Sequence, residues 1–141
     1  MFLIHNEYFC LHPLQNKRPL VFVRIKIKDN IVQDKLIEEH ASIQVYDPKV
    51  TAVQMQSDLN ALDTRPESEN NKFLEVHANP YEALEGTHAL AVITEWDEFK
   101  AYDWQKIYDN MLKPAFVFDG RNILDQAALE SIGFIYKAVG R

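Results

Sequence analysis

One arginine stands three residues after an apolar run, in a position that suits the binding of an anion. The run is Ala115 to Phe118, and Asp119-Gly120-Arg121-Asn122 comes after it. Glycine allows a tight turn, and a guanidinium can hold a phosphate group through two parallel hydrogen bonds. The alternative is an ion pair of Arg121 with Asp119 or Asp125. The local sequence therefore predicts either a phosphate site or a structural arginine.

A second group of cations lies earlier in the chain. Five of the fifteen basic residues fall between Lys17 and Lys28. Apolar residues alternate with the basic ones from Val23 onward, as in a strand with one solvated face. The segment predicts either a basic phosphate site or a solvated strand face.

The acidic residues and the possible nucleophiles give weaker signals. One acidic cluster consists of Glu95, Asp97, Glu98 and Asp103. Such a cluster could provide paired carboxylates for acid–base chemistry or bind a divalent metal. It is also typical of helix starts, where the helix dipole stabilises acidic residues. The histidines lack metal-ligand spacing, so we expect no metal; they are His5, His12, His40, His77 and His88. No G-x-S-x-G motif is present, and Cys10 lies in the least periodic part of the chain. We therefore predict no catalytic residue.

The chain contains few glycines. It has four, against about ten expected from average composition. No G-x-G-x-x-G motif and no Walker-type loop can be written from them, and these are the usual glycine-rich phosphate cradles. The sequence therefore excludes both of these nucleotide-binding loops.

Charge and cysteine content narrow the class of protein. Fifteen basic and twenty-one acidic residues give a net charge of −6, which argues against a general nucleic-acid binder. The single cysteine fits a reducing compartment. No apolar run approaches the length of about 20 residues that a transmembrane helix needs, and Met1 to Ile4 make a poor signal peptide. We predict a cytoplasmic protein.

Strands and helices alternate from residue 20 onward. The predicted strands are Leu20–Lys28, Ala41–Tyr46, Phe73–His77, His88–Ile93, Ala115–Phe118 and Phe134–Val139. Helices are predicted from Ile31 to His40 after an Asn30 cap, near Met55 to Leu62, from Pro80 to near Gly86 after an Asn79 cap, from an Asp103 cap to about Met111, and from an Asp125 cap to Gly133. This alternation predicts an α/β three-layer sandwich, a mostly parallel sheet with helices on both faces. Residues 49–72 are expected to be a polar surface excursion.

A parallel sheet places its ligand crevice outside the carboxyl ends of the strands. The segments that follow the predicted strands are therefore the candidate site. They are Lys28–Asn30, Asp47–Pro48, Thr94–Asp97 and Asp119–Asn122.

Four segments resemble the C-terminal, UDP-binding domain of the UDP-glucose/GDP-mannose dehydrogenase family, in its animal-type branch. They are IQVYDPK at Ile43–Lys49, NPYEA at Asn79–Ala83, HALAVITEWDEF at His88–Phe99 and KPAFVFDGRNILD at Lys113–Asp125. The resemblance covers residues 31–141, about three quarters of the chain. It implies a Rossmann-like domain at residues 20–141, with residues 1–19 as an atypical extension.

The resemblance also implies an activity. Such enzymes oxidise UDP-glucose to UDP-glucuronate with two NAD⁺, through a thiohemiacetal and a thioester on a catalytic cysteine, and their C-terminal domain holds the UDP part of the substrate. The arginine of the family's D-G-R motif contacts substrate, and it falls on Arg121. Ile27-Lys28 stands where the family has a substrate-binding Phe-Lys pair, which implies a substrate contact for Lys28.

The chain departs from the family pattern in three places. The NAD-binding domain and the cysteine motif have no counterpart, so Cys10 does not inherit the nucleophile's role, and His40 stands where a glycine usually ends a helix. The leading hypothesis is a UDP-sugar-binding domain that is inactive alone. The alternatives are an assembly module that pairs with full-length subunits, the family being oligomeric, and a product that folds without function.

Overall fold

The computed structural model describes residues 2–4, 7–9, 19–23, 30–38 and 40–138. The elements in these ranges are β1 (Phe2–Ile4), β2 (Glu7–Phe9), β3 (Pro19–Val23), α1 (Asn30–Glu38), β4 (Ser42–Tyr46), α2 (Ala52–Asn60), α3 (Glu67–Phe73), β5 (Leu74–His77), α4 (Pro80–Leu84), β6 (Ala89–Val92), α5 (Trp104–Asn110), β7 (Phe116–Asp119), α6 (Gln126–Ile132) and β8 (Ile135–Ala138). A 3₁₀ helix, Asp97–Ala101, follows β6. None of the helices in these ranges is long and apolar enough to span a membrane.

Six strands form one parallel sheet in the order β5-β4-β3-β6-β7-β8. The chain runs outward from β3 to β5, returns to β6 beside β3, and then runs outward to β8. This order reverses between β3 and β6, which makes their carboxyl ends the switch point where ligands bind in such sheets. The predicted α/β Rossmann-like sandwich is confirmed. The strands β1 and β2 pair with each other in an antiparallel way within the segment that was predicted as an extension, and the domain boundary after residue 19 stays a prediction.

Each face of the sheet carries its own apolar core. Strand β6 contributes to both cores, because Leu90 and Val92 belong to one cluster and Ala89 and Ala91 to the other. Side chains of α4, α5 and α6 complete the first cluster, and side chains of α1 and α2 complete the second. The continuous apolar sequence of β6 is therefore explained by burial on both faces.

Side-chain caps fix the starts of the helices. The carboxylates of Asp103 and Asp125 accept hydrogen bonds from the third residue beyond each, both at 3.0 Å. The Asn79 side chain accepts from the Tyr81 N–H at 2.9 Å. These three caps confirm the predicted helix starts, and Thr51, which the sequence prediction did not include, caps α2 in the same way.

The polar stretch before β5 contains a helix that the sequence prediction missed. Residues 49–72 were expected to form a surface excursion with a short helix near Met55, yet α3 occupies Glu67–Phe73 as well. Acids in its first turn, Glu67 and Glu69, and Lys72 in its last turn suit the helix dipole. Its few apolar residues gave no helical periodicity, and the next strand begins one residue later than predicted, at Leu74.

The helix α1 ends at a strained residue. His40 has a φ of 59°, and its N–H bonds to the carbonyl of Ile37 at 2.8 Å. This left-handed conformation is the one that glycine adopts most easily after a helix, which gives a physical reason for the glycine that the family usually has there. The predicted Asn30 cap is instead the first residue of α1.

One acidic residue of α1 is buried. Asp34 precedes the exposed Lys35 in the sequence, but its own side chain is only 6% exposed and pairs with Arg65 at 2.6 Å. Thr64 donates a second hydrogen bond to the same carboxylate at 2.6 Å. The polar network of Asp34, Arg65 and Asn70 thereby joins α1 to the segment before α3. A buried acid with a basic partner 31 residues away cannot be recognised from helical spacing alone.

Replacing Arg65 by alanine is expected to destabilise the fold by about 3–5 kcal/mol, because it leaves the buried Asp34 carboxylate without its cation. The free energy of unfolding in urea measures the loss. The matched control is Lys35→Ala, which breaks an exposed pair with Glu38 and should leave the free energy of unfolding nearly unchanged. Equal losses in the two variants would contradict the structural role assigned to Arg65.

Candidate functional site

The residues that follow β4, β6 and β7 meet at the carboxyl edge of the sheet. We call this edge the rim, and its described members are Tyr46, Asp47, Lys49, Thr94, Glu95, Trp96, Glu98 and Arg121. Three of the four predicted segments therefore come together as expected. The fourth, which contains Lys28, lies outside the described residues apart from Asn30, as do Cys10 and the other basic residues between Lys17 and Lys28.

A buried carboxylate shapes the turn that carries Arg121. Asp119 is fully buried, and its two oxygens accept hydrogen bonds from the backbone N–H groups of Arg121, Ile123 and Leu124 at 2.8–3.0 Å. The hydroxyl of Tyr136 on β8 donates a fourth bond at 2.9 Å. Because four donors converge on one side chain, the backbone of the turn is fixed against β7 and β8.

Glycine fits the first residue of this turn better than a residue with a side chain. The N–H of Gly120 donates to the carbonyl of Val92 at 2.8 Å, and a Cβ at this position would lie 3.1 Å from the same oxygen. The turn after β7 therefore lies against the end of β6. This contact brings Arg121 next to the segment that follows Val92.

The guanidinium of Arg121 has an acidic partner that was not predicted. Its NH2 group lies 2.7 Å from Oε1 of Glu95, and the two side chains are 40% and 58% exposed. The expected structural alternative named Asp119 or Asp125, but Asp119 accepts the backbone N–H of Arg121 and Asp125 caps α6. That alternative was wrong about the partner, because sequence distance does not show that the turns after β6 and β7 are adjacent.

A second acid joins the end of β4 to the 3₁₀ helix. Oε1 of Glu98 accepts hydrogen bonds from the hydroxyls of Tyr46 at 2.9 Å and Tyr102 at 2.6 Å. Burial raises the pKa of each phenol, and the bond to Glu98 raises it further. Both tyrosines therefore remain protonated donors at neutral pH and hold the segment after β6 in place.

The acidic cluster consists of four separately engaged residues. Asp97 pairs with Lys100 at 2.7 Å, which lowers the pKa of its carboxyl, and Asp103 is the cap of α5. Glu95 and Glu98 have the partners given above. Within the part of the chain that the structure describes, no three histidine, cysteine or acidic side chains are grouped so that they could hold a metal ion.

Two donors at the rim lack a partner among the described residues. The hydroxyl of Thr94 and the indole N–H of Trp96 are buried atoms without a hydrogen bond, and the Nζ of Lys49 lies 5.9 Å from the centre of the Trp96 ring. The rim thus combines two cations, Arg121 and Lys49, with an aromatic ring. Such a set can bind an anion that carries a planar group. Sequence reasoning missed Lys49, although it stands three residues after the end of β4.

A groove of about 790 Å³ lies elsewhere in the molecule. Its described lining residues are His40, Ser42, Ser68, Glu69, Lys72 and Phe73. Ser42 is the first residue of β4, so the groove lies at the amino end of that strand, while the rim lies at the carboxyl end. The groove therefore belongs to a different part of the molecule.

A comparison with protein families gives one match. The model of the UDP-glucose/GDP-mannose dehydrogenase family, UDP binding domain, matches residues 30–126. That range includes the described segments of the rim and Arg121.

Curated relatives agree with this match. UDP-glucose 6-dehydrogenase of Drosophila melanogaster is 44% identical over 107 residues, which cover 75% of this chain and 22% of the relative. The Caenorhabditis elegans enzyme of that name is 47% identical over 105 residues, 74% of this chain and 21% of the relative. UDP-glucose 6-dehydrogenase 4 of Arabidopsis thaliana is 46% identical, covering 75% of this chain and 24% of the relative. The chain thus spans less than a quarter of the length of these relatives.

Two solved structures share the fold at low sequence identity. UDP-D-ManNAc dehydrogenase of Pyrococcus horikoshii has a TM-score of 0.60 and 18% identity, covering 90% of this chain and 26% of that chain. A formate dehydrogenase of Granulicella has a TM-score of 0.60 and 14% identity, covering 86% and 31%. At these identities the likeness supports the Rossmann-type fold alone.

Replacing Tyr136 by phenylalanine is expected to lower the free energy of unfolding by about 1–3 kcal/mol, since it removes a donor from a buried carboxylate and keeps the ring. Urea denaturation measures the change. Tyr81→Phe serves as the control, because the Tyr81 hydroxyl accepts an exposed hydrogen bond from the Asp103 N–H and its loss should cost less. A Tyr136 variant as stable as the parent would show that Asp119 does not depend on this bond.

Proposed function

Because this chain belongs to the UDP-glucose/GDP-mannose dehydrogenase family, as its UDP-binding domain, we propose that the rim holds the UDP part of UDP-glucose or UDP-glucuronate. Arg121 binds the diphosphate in this proposal. The observation that carries it is a solvent-accessible guanidinium on a backbone that Asp119 fixes, beside the switch point of a parallel sheet.

The other rim residues have roles that follow from their chemistry. Lys49 adds a second positive charge near the ligand, and the Trp96 ring beside it offers an apolar face to a planar base. The unpartnered hydroxyl of Thr94 can donate to a ligand oxygen after a change of rotamer. Lys28 is proposed as a further substrate contact, since it follows β3, the strand between β4 and β6.

The oxidation itself is proposed to need more than these 141 residues. Enzymes of the family use NAD⁺ and a catalytic cysteine to convert UDP-glucose to UDP-glucuronate, and the sequence between β3 and α1, Arg24 to Asp29, contains no glycine. We place NAD⁺ binding and the chemistry outside this chain's own residues, and we assign no catalytic residue and no metal. A cytoplasmic location stays a prediction.

Titration with UDP tests the proposal, with Trp96 as a reporter inside the rim. Binding should change tryptophan fluorescence, and Arg121→Ala should raise Kd by about thirtyfold or more, because a desolvated charge pair is lost. Lys100→Ala is the matched control, since Lys100 pairs with Asp97 and not with a rim residue. No response of the parent chain to UDP or UDP-glucose would contradict the function, and equal affinity of the Arg121 variant would remove Arg121 from the site.

Pairing with another subunit is a second candidate function, supported by an exposed apolar side chain on the edge strand β8. Ile135 is 39% exposed and lies opposite the half-buried Phe116 of β7. Because successive strand residues face opposite sides, Ile135 lies on the sheet face away from Tyr136 and its core. Among the described strands, β8 has one neighbour in the sheet, β7, so its outer edge is available for a partner strand.

Mixing the chain with a full-length family enzyme tests the pairing. We expect the two to co-elute in size-exclusion chromatography, and Ile135→Ser to weaken co-elution because it removes an apolar contact. Formation of NADH from UDP-glucose should occur in the mixture and not with the chain alone. Separate elution would contradict pairing, and turnover by the chain alone would contradict the proposed division of the chemistry.

A further inference from the structure

The ion pair of Arg121 is arranged so that a ligand can replace one of its partners. We infer that Glu95 is a counter-ion that holds the Arg121 guanidinium until the diphosphate of the ligand takes its place. Glu95 thereby sets how strongly the rim binds anions. The inference rests on the proposed function, because it assigns the diphosphate to Arg121.

The backbone of Arg121 is fixed, whereas its side chain is not. The N–H groups of Gly120 and Arg121 are held by Val92 and by Asp119. Among the described residues, the guanidinium, in contrast, makes one close contact, the 2.7 Å bond from its NH2 group to Glu95. An exposed pair of this kind contributes little to stability. A phosphate that accepts two hydrogen bonds from the same guanidinium forms a stronger contact.

Glu95 can leave the guanidinium without a desolvation cost. Its side chain is 58% exposed, so the released carboxylate enters water. Its neighbours in sequence, Thr94 and Trp96, carry the buried donors without a partner. The segment after β6 therefore presents two donors toward the protein and one acid toward the guanidinium and the solvent.

The other acids around the rim are not equivalent to Glu95. Glu98 accepts bonds from two tyrosines, and Asp97 pairs with Lys100. Asp47 is buried and accepts the backbone N–H groups of Lys49 and Val50, and Asp119 is fully buried. Within the described part of the chain, Glu95 is the acid recorded on the Arg121 guanidinium. A bound diphosphate would meet its negative charge at close range. Neutralising Glu95 should therefore strengthen binding rather than weaken it.

The experiment compares Glu95→Gln with Asp97→Asn in UDP titrations. We expect Glu95→Gln to lower Kd by about two- to tenfold, from the lost competition and the lost repulsion. Asp97→Asn removes the same charge two residues away and should change Kd less. In the Arg121→Ala background, Glu95→Gln should bring a smaller gain, because there is no guanidinium left for Glu95 to compete for. A weaker or unchanged affinity of Glu95→Gln, or an equal gain from Asp97→Asn, would overturn the inference.

The inference and the proposed function can fail separately. If the parent chain binds UDP and Glu95→Gln brings no gain, the function stands and the counter-ion role falls. If UDP does not bind, inorganic pyrophosphate is the probe, followed through the side-chain N–H resonance of Arg121 by NMR. If Glu95→Gln binds pyrophosphate more tightly than the parent chain, the counter-ion role is supported without a nucleotide site. If neither chain binds pyrophosphate, the result contradicts both the counter-ion role and the proposed function.

Discussion

The structure of the rim depends on one buried carboxylate. Asp119 brings a charge into the interior, where it is tolerated only because four donors surround it. Three of these donors are backbone N–H groups of the turn after β7, and the fourth is the hydroxyl of Tyr136 on the neighbouring strand. The position of Arg121 is thus set by hydrogen bonds deep in the fold. Its guanidinium alone remains free to change partners.

Structural features that depend on neighbouring residues in the sequence were predicted correctly. The caps Asn79, Asp103 and Asp125 and the apolar strand β6 could be predicted because each signal lies within a few residues. The parallel sheet followed from the alternation of strands and helices, and the candidate segments were chosen because they follow predicted strands. The D-G-R turn was found because a glycine and an arginine directly follow a strand.

Contacts between distant segments could not be predicted in this way. Glu95 and Arg121 are 26 residues apart, and Asp34 and Arg65 are 31 apart. Each acid has the sequence surroundings of a solvated residue, and only the packing of neighbouring elements gives it a basic partner. The helix α3 was missed for a related reason, since its stability comes from end charges and from Asn70, a buried polar residue, rather than from an apolar stripe.

The register of β6 and β7 restricts the lengths of the two turns that follow these strands. Val92 lies opposite Asp119, so the two turns start level with each other, and the bond from Gly120 to Val92 keeps them so. Glu95 lies three residues beyond the first position and Arg121 two beyond the second. Substitutions preserve this spacing, whereas inserting or deleting one residue in either turn moves Glu95 and Arg121 out of alignment. Among related sequences, the two turns should therefore differ in composition far more readily than in length.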